Sequence, residues 1–214
     1  MSERRRVLLA DDHRMVAEGL RTLLEPEFDL VGIVEDGRAL LEATMRLRPD
    51  VIVADISMPH LNGIDALFQL KRYDHDVRVV MLTMHKDVAY ARRALKAGAL
   101  GYVLKHSAPA ELVTAVNAAL EGRTYITPAI AGEVLQELRA GRRQIIDEAA
   151  ELTSRQREIL QLLAEGCSAK AIATRLDISP RTVEFHKYHM MEALNVQSNA
   201  ELVHFAIKHG IVAI

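Results

Sequence analysis

Five times before residue 121, a short apolar run gives way to an amphipathic helical stretch, and after Gly122 that alternation stops. Val7–Ala10, Leu30–Val34, Val51–Ala54, Val77–Leu82 and Gly101–Leu104 have the near-continuous apolar character of strands buried on both faces. Between them, apolar residues recur at helical spacing: Val16, Leu20, Leu23 and Leu24, then Leu40, Ala43 and Leu47, then Ile64, Leu67 and Leu70. Helices follow over 88–97 and 109–120. Strand–helix alternation of this kind predicts an α/β doubly wound, five-stranded parallel sheet with helices on both faces. Beyond Gly122 the strand signal vanishes. Residues 126–138 read as a helix, residues 139–150 as a charged connection, and four capped helices follow from Leu152. The expected organisation is one α/β domain over 1–122, a helical linker over 123–150 and a smaller all-α domain over 151–214.

Composition matters mainly for what it excludes. With 50% hydrophobic and 26% charged residues, the chain can build packed cores and is not disordered. Cys167 is the single cysteine, so neither a disulfide scaffold nor a thiolate metal cluster is available. It reads as a small residue at a helix end. No apolar run approaches the roughly 18 residues of a membrane span, and a cytoplasmic location without membrane partners is expected. The 27 Lys and Arg nearly balance the 29 Asp and Glu, and residues 151–214 carry seven of each. Charge alone therefore gives no sign of nucleic-acid binding. The nine Phe and Tyr are dispersed and Trp is absent, which speaks against a platform for stacking single-stranded bases.

In an open parallel sheet, ligands bind beyond the carboxyl ends of the strands. Those ends carry Asp11 and Asp12, Asp55, Thr83 and Lys105. Converging carboxylates repel and raise one another's pKa unless a cation joins them. An all-oxygen donor set without His or Cys suits Mg²⁺. Opposite the metal, a lysine and a hydroxyl can bind phosphoryl oxygens. Asp55 is the natural acceptor, because a carboxylate needs no base to become a nucleophile. Each residue also has a plainer reading: Asp11 as a helix cap, Asp55 as a turn residue, Lys105 as a surface lysine, Tyr102 as a strand aromatic. His13, His60, His75 and His85 lack ligand spacing and read as surface residues, while Met58, Met81 and Met84 read as core or pocket edge.

Taken together, Asp11-Asp12, Asp55-Ile56-Ser57-Met58-Pro59 with Asn62-Gly63, Thr83, Tyr102 and Lys105 resemble the flavodoxin-like receiver domain of two-component response regulators. The resemblance implies that Asp55 takes a phosphoryl group from a phosphohistidine on a sensor histidine kinase. It also implies that Asp12 ligates Mg²⁺ directly, that Asp11 acts through water, and that the Ser57 carbonyl adds a ligand. Thr83 and Tyr102 would be a switch pair, the hydroxyl moving to the phosphoryl oxygen and the ring following. His106 stands where many receivers have a proline joined by a cis bond.

The helical domain has its own signals. Thr153 with Gln156 and Ser198 with Glu201 have capping-box spacing, and Ser179-Pro180 opens a helix directly after a short one. That is the layout of a helix-turn-helix, whose second helix would enter a major groove. Ser179, Arg181, Thr182, Glu184, Phe185, Lys187 and Tyr188 are candidates for DNA contact, with Lys170 on the helix before. Val183, His186 and Met190 share the inward stripe. The runs Leu152–Leu160, Ser168–Ala173, Leu176–Ser179 and Arg181–His186 resemble the LuxR-type output domain, and with a receiver this is similar to the NarL/FixJ family. Ala169 and Ala171 replace the usual Asn and Glu, so one half of a capping box is missing. Residues 200–209 carry an apolar face broad enough for a dimer contact. The resemblance implies a transcription regulator rather than an enzyme, binding double-stranded promoter DNA as a homodimer once phosphorylated. Two competing readings are a Mg²⁺-dependent phosphohydrolase, against which stands the lack of an Asp two residues beyond Asp55, and a receiver acting only through protein partners.

Overall fold

The computed structural model describes residues 4–140 and 152–212 and divides the chain into two compact units, Met1–Arg143 and Gln144–Ile214. In the first unit the elements are β1 (Arg6–Ala10), α1 (Arg14–Leu24), β2 (Asp29–Val34), α2 (Gly37–Leu47), β3 (Val51–Asp55), α3 (Gly63–Tyr73), β4 (Val79–Thr83), α4 (Val88–Lys96), β5 (Gly101–Leu104) and α5 (Ala108–Leu120). A short strand β6 (Tyr125–Ile126) and a helix α6 (Pro128–Ala140) complete it. The sheet is parallel throughout, in the order β2-β1-β3-β4-β5-β6.

Side chains on a strand alternate between faces, and here they sort into two cores. Leu8, Ile52, Met81 and Tyr102 face one side with α2, α3 and α4, while Val7, Val53, Val80 and Val103 face the other with α1 and α5. Burial on both faces is why the strands read as unbroken apolar runs.

The sheet has six strands, not five. Tyr125 and Ile126 pair with Gly101 and Tyr102. Two residues are too short to register as an apolar run; the open edge of β5 recruits them. The helix expected over 126–138 is present as α6, and it packs on α4 with Ile130 and Val134 inside the core. This part of the expected linker is thus part of the first compact unit. Residues 141–150 of that expected linker lie outside the described residues.

The loop after β3 is held by close backbone approach. Asn62 caps α3, accepting from the Asp65 N–H at 2.9 Å and donating to its carboxylate at 2.9 Å. Gly63 then passes so near β3 that a Cβ there would stand 2.0 Å from the Asp55 carbonyl oxygen. The Lys105–His106 bond is trans, as no cis peptide occurs among the described residues.

The second unit packs α7 (Ser154–Ala164), α8 (Ala169–Leu176), α9 (Pro180–Ala193) and α10 (Asn199–Lys208) around Ile159, Leu160, Ile172, Val183, Met190 and Phe205. Thr153 and Gln156 form the reciprocal capping box. At α10, Ser198 accepts from the Glu201 N–H, but the Glu201 carboxylate reaches one residue further back, to the Gln197 N–H. Between α8 and α9 the chain turns at Asp177, whose φ of 52° is left-handed, and the Ile178 N–H returns to the Ala173 carbonyl. Ser179 and Pro180 restart the helix at once.

Two glycine substitutions should part in sign. Gly63→Ala forces its Cβ into the Asp55 backbone and should cost at least about 2 kcal/mol. Gly19→Ala, exposed in α1 with nothing within 4 Å, should gain about 0.5–1 kcal/mol. Urea midpoints measure both, and a neutral Gly63→Ala would refute the packing described.

Candidate functional site

The strand order reverses between β1 and β3, which opens a crevice at their carboxyl ends. Lys105, directly after β5, spans it. Its Nζ lies 2.7 Å from Asp11 Oδ2 and 2.7 Å from Asp55 Oδ2. These side chains are 7%, 0% and 3% exposed, so water screens the interaction little. Asp11 Oδ1 also accepts the His13 N–H at 2.9 Å, and Asp55 Oδ1 accepts the Ser57 N–H at 3.2 Å. Asp12 is partly exposed, with its carboxylate 2.7 Å from His13 Nδ1.

Burial raises the Asp55 pKa above the ordinary carboxylate value; the Lys105 ammonium pulls it down, and the Asp11 charge adds to the rise. Burial likewise works to lower the Lys105 pKa, but Asp55 and Asp11 more than reverse it, and the ammonium is held above its usual range. Ligand atoms of Asp11, Asp12, His13 and Asp55 all lie within 4.8 Å of one another. Three carboxylates against one ammonium leave two uncompensated negative charges, counting His13 as neutral. A divalent cation matches that balance, and the carboxylate donors suit a hard one.

Around this pocket, Thr83 at the end of β4 is fully buried, and its Oγ1 accepts the His85 N–H at 3.1 Å. Tyr102 is also fully buried, and its hydroxyl donates to the His85 carbonyl at 3.0 Å. Burial pushes its phenol pKa up. The His85 ring bonds Ser57 Oγ at 2.9 Å and stacks on Tyr90 of α4, centroids 4.4 Å apart.

The structure therefore gathers Asp11, Asp12, Asp55, Ser57 and Lys105, and ties Thr83 and Tyr102 to them through His85. His13 is exposed, as expected, yet its ring stands among the possible ligands; His85, also expected at the surface, is half-buried at the junction of both loops. Their places after Asp12 and Thr83, at the same sheet end, were the available signal. Met58 and Met81 are core, whereas Met84 is 66% exposed.

On the second unit, Ser179 caps α9 through the Thr182 N–H at 3.0 Å. Arg181, Phe185 and Tyr188 are exposed, and so is Lys170 on α8. Phe185 meets the His189 ring edge-on at 4.2 Å. Glu184 and Lys187 pair with each other at 2.6 Å, a contact that sequence spacing had not singled out. Val183 and Met190 are buried on the opposite stripe, and His186 is half-buried, its pKa lowered by burial and by Arg155.

Comparison with known proteins fits both units. Residues 7–117 match the family described as "Response regulator receiver domain", and residues 150–206 match "Bacterial regulatory proteins, luxR family". The chain is 34% identical to the transcriptional regulatory protein DegU of Brevibacillus brevis, over 97% of this chain and 95% of DegU. The chain is a response regulator of the NarL/FixJ family. It is accordingly a transcription regulator controlled by phosphorylation, with a receiver and a LuxR-type DNA-binding domain. It is 33% identical to the response regulator UvrY of Escherichia coli K12, covering 96% and 94% of the two chains. Among solved structures it resembles RcsB from Salmonella enterica serovar Typhimurium bound to promoter rprA with the phosphomimetic BeF3−. That match has a TM-score of 0.61 at 30% identity, over 95% of this chain and 98% of RcsB. No described helix is long and apolar enough to cross a membrane.

Removing the shared cation tests the electrostatics. Lys105→Met should cost about 3–5 kcal/mol near neutral pH, because two buried carboxylates are left facing each other. The gap from wild type should close as pH falls toward the raised Asp55 pKa, since protonated carboxyls need no partner. Urea titrations between about pH 4 and 7 measure it. A gap independent of pH would contradict the ion-pair account.

Proposed function

We propose that Asp55 accepts a phosphoryl group from the phosphohistidine of a sensor histidine kinase, and that this switches dimerisation and promoter binding by the helical domain. The carrying observation is the buried Lys105 bridge between Asp11 and Asp55, at the rim of a carboxylate cluster two charges short of neutrality. Asp11, Asp12 and Asp55 would hold Mg²⁺, with the Ser57 carbonyl as a further ligand. When bound, Mg²⁺ neutralises the carboxylates and draws charge from the phosphoryl oxygens. An Asp55 carboxylate oxygen attacks phosphorus while the bond to the histidine nitrogen breaks. Lys105, already 2.7 Å from Asp55, pairs with a phosphoryl oxygen of the product. The chain supplies positioning and charge, and the kinase supplies the activated phosphoryl group; this chain is a substrate in that step, not an enzyme.

The switch follows from a shared partner. The Thr83 hydroxyl and the Tyr102 hydroxyl hold the two sides of the His85 backbone, one accepting from its N–H and the other donating to its carbonyl. Turning Thr83 toward a phosphoryl oxygen frees the His85 N–H, and with it loosens the seat of Tyr102 and the ring stack on α4.

On the helical domain, α9 enters the major groove of double-stranded promoter DNA. Arg181 and Lys170 contact phosphate, and so does Ser179 at the positive end of the helix. Thr182, Glu184, Phe185, Lys187 and Tyr188 face the base edges, and the Glu184–Lys187 pair opens on binding. Structural work on RcsB includes two dimers bound to two parallel DNAs. That likeness supports a homodimer here, through half-exposed Val203 and Ile207 on α10. A promoter-binding regulator of this kind acts in the cytoplasm.

Acetyl phosphate with Mg²⁺ should label wild type and not Asp55→Asn, and EDTA should abolish labelling; intact-protein mass spectrometry reads the phosphoryl mass. Label on Asp55→Asn would move the acceptor elsewhere. For the output domain, Arg181→Ala should weaken binding to a duplex selected from random sequence. It should also reduce the slope of log affinity against log salt by about one. An unchanged slope would remove Arg181 from the phosphate contacts.

A further inference from the structure

Thr127 stands where β6 ends and α6 begins, and it is fully buried. Its carbonyl accepts the N–H groups of Ile130 at 3.1 Å and Ala131 at 3.2 Å, starting α6. A threonine at a helix start ordinarily turns its side chain to its own helix. Here Oγ1 instead accepts the Leu104 N–H of β5 at 3.1 Å and donates to Glu111 of α5 at 2.8 Å. The Thr127 N–H donates to the Tyr102 carbonyl at 2.9 Å. The hydroxyl thus continues the β5 ladder past the point where β6 has run out of backbone.

Those bonds fall on chosen ground. Tyr102 and Leu104 lie on the strand that ends in the crevice lysine, with Leu104 the residue before Lys105. Glu111 is on the helix that follows. α6 is the last described helix before the sequence runs on to the LuxR-type unit. Thr127 therefore fastens the start of α6 to the strand that leads to Lys105, its backbone N–H to Tyr102 and its hydroxyl to Leu104 and across to α5.

We infer that Thr127 is a positioning residue that passes movement at the end of β5 to α6, and so makes the output respond to the receiver. This rests on the reading of Asp55 phosphorylation given above. A hydroxyl bonded on both sides cannot stay in place if β5 shifts relative to α5; it must follow one of them and carry the start of α6 with it. Coupling between sites in one protein typically amounts to about 5–150-fold in affinity, and losing one buried hydrogen bond is worth roughly fivefold.

The test uses the full chain, a duplex selected from random sequence, and beryllofluoride with Mg²⁺ as the phosphoryl mimic. Wild type, Thr127→Val and Thr127→Ser are compared for uptake of the mimic by fluorine NMR, and for DNA affinity with and without it. The expected result is normal uptake and unchanged basal affinity in Thr127→Val, a gain in affinity at least roughly fivefold smaller than in wild type, and recovery in Thr127→Ser. A fastener with only a structural role would lower stability and leave the gain intact. An equal gain in Thr127→Val overturns the inference, as does a Thr127→Ser variant no better than Thr127→Val. Should Thr127→Val not take up the mimic, Glu111→Ala decides. It keeps the bond to Leu104 and severs the one to α5, and an undiminished gain again overturns the inference. Wild type that takes up the mimic without any gain refutes the phosphorylation switch itself, and this coupling with it.

Discussion

Lys105 holds two buried carboxylates that would otherwise repel, and the geometry of the crevice depends on it. Asp11 ends β1 and Asp55 ends β3, neighbouring strands whose helices diverge to opposite faces of the sheet. The ammonium spans both at 2.7 Å from a third strand end. Its charge satisfies one unit of three, and the remainder leaves a cluster that could hold a metal ion. Nothing on the surface could do this, because exposed pairs are screened and weak. The apolar strands matter to function for that reason: by burying the residues beneath the crevice, they keep the dielectric low where the charges meet.

His85 is the second organising feature, and it acts through backbone as much as ring. Thr83 takes its backbone N–H and Tyr102 its carbonyl, Ser57 takes its ring nitrogen, and Tyr90 of α4 takes its ring face. A change in hydrogen bonding at Thr83 thus has a short physical route to α4, through one residue. Such a node suits two discrete arrangements better than a continuous drift, since each partner is either bonded or free.

The helical unit solves a different problem. Its formal charge is balanced, so attraction to a polyanion cannot come from net charge. What the unit does present is placement: a capped helix start, Arg181 beside it, and exposed Phe185 and Tyr188 on the face opposite buried Val183 and Met190. Glu184 pairs with Lys187 on the same face, so that lysine's charge is already partnered in the protein alone.

Much of this was legible in the residues alone. Unbroken apolar runs and helices with period 3.6 determined the α/β class, the parallel sheet and the change to an all-α unit, because burial on two faces or on one imposes those patterns directly. Capping residues at Thr153, Ser168, Ser179 and Ser198 marked four helix starts, since a cap is a local bond. Strand ends in a parallel sheet share one rim, so Asp11, Asp12, Asp55, Thr83 and Lys105 could be grouped before any coordinates. Only tertiary structure decided what rests on contacts between distant segments. The two-residue β6 exists because β5 had an open edge, and α6 packs on α4 because Ile130 and Val134 found an apolar face there. His85 read as a surface residue because its partners Ser57, Tyr90 and Tyr102 come from other segments, and exposed His13 gave no sign that its ring meets Asp12. Thr127 was silent for the same cause: its hydroxyl bonds residues 23 and 16 positions away, a reach that no local pattern encodes.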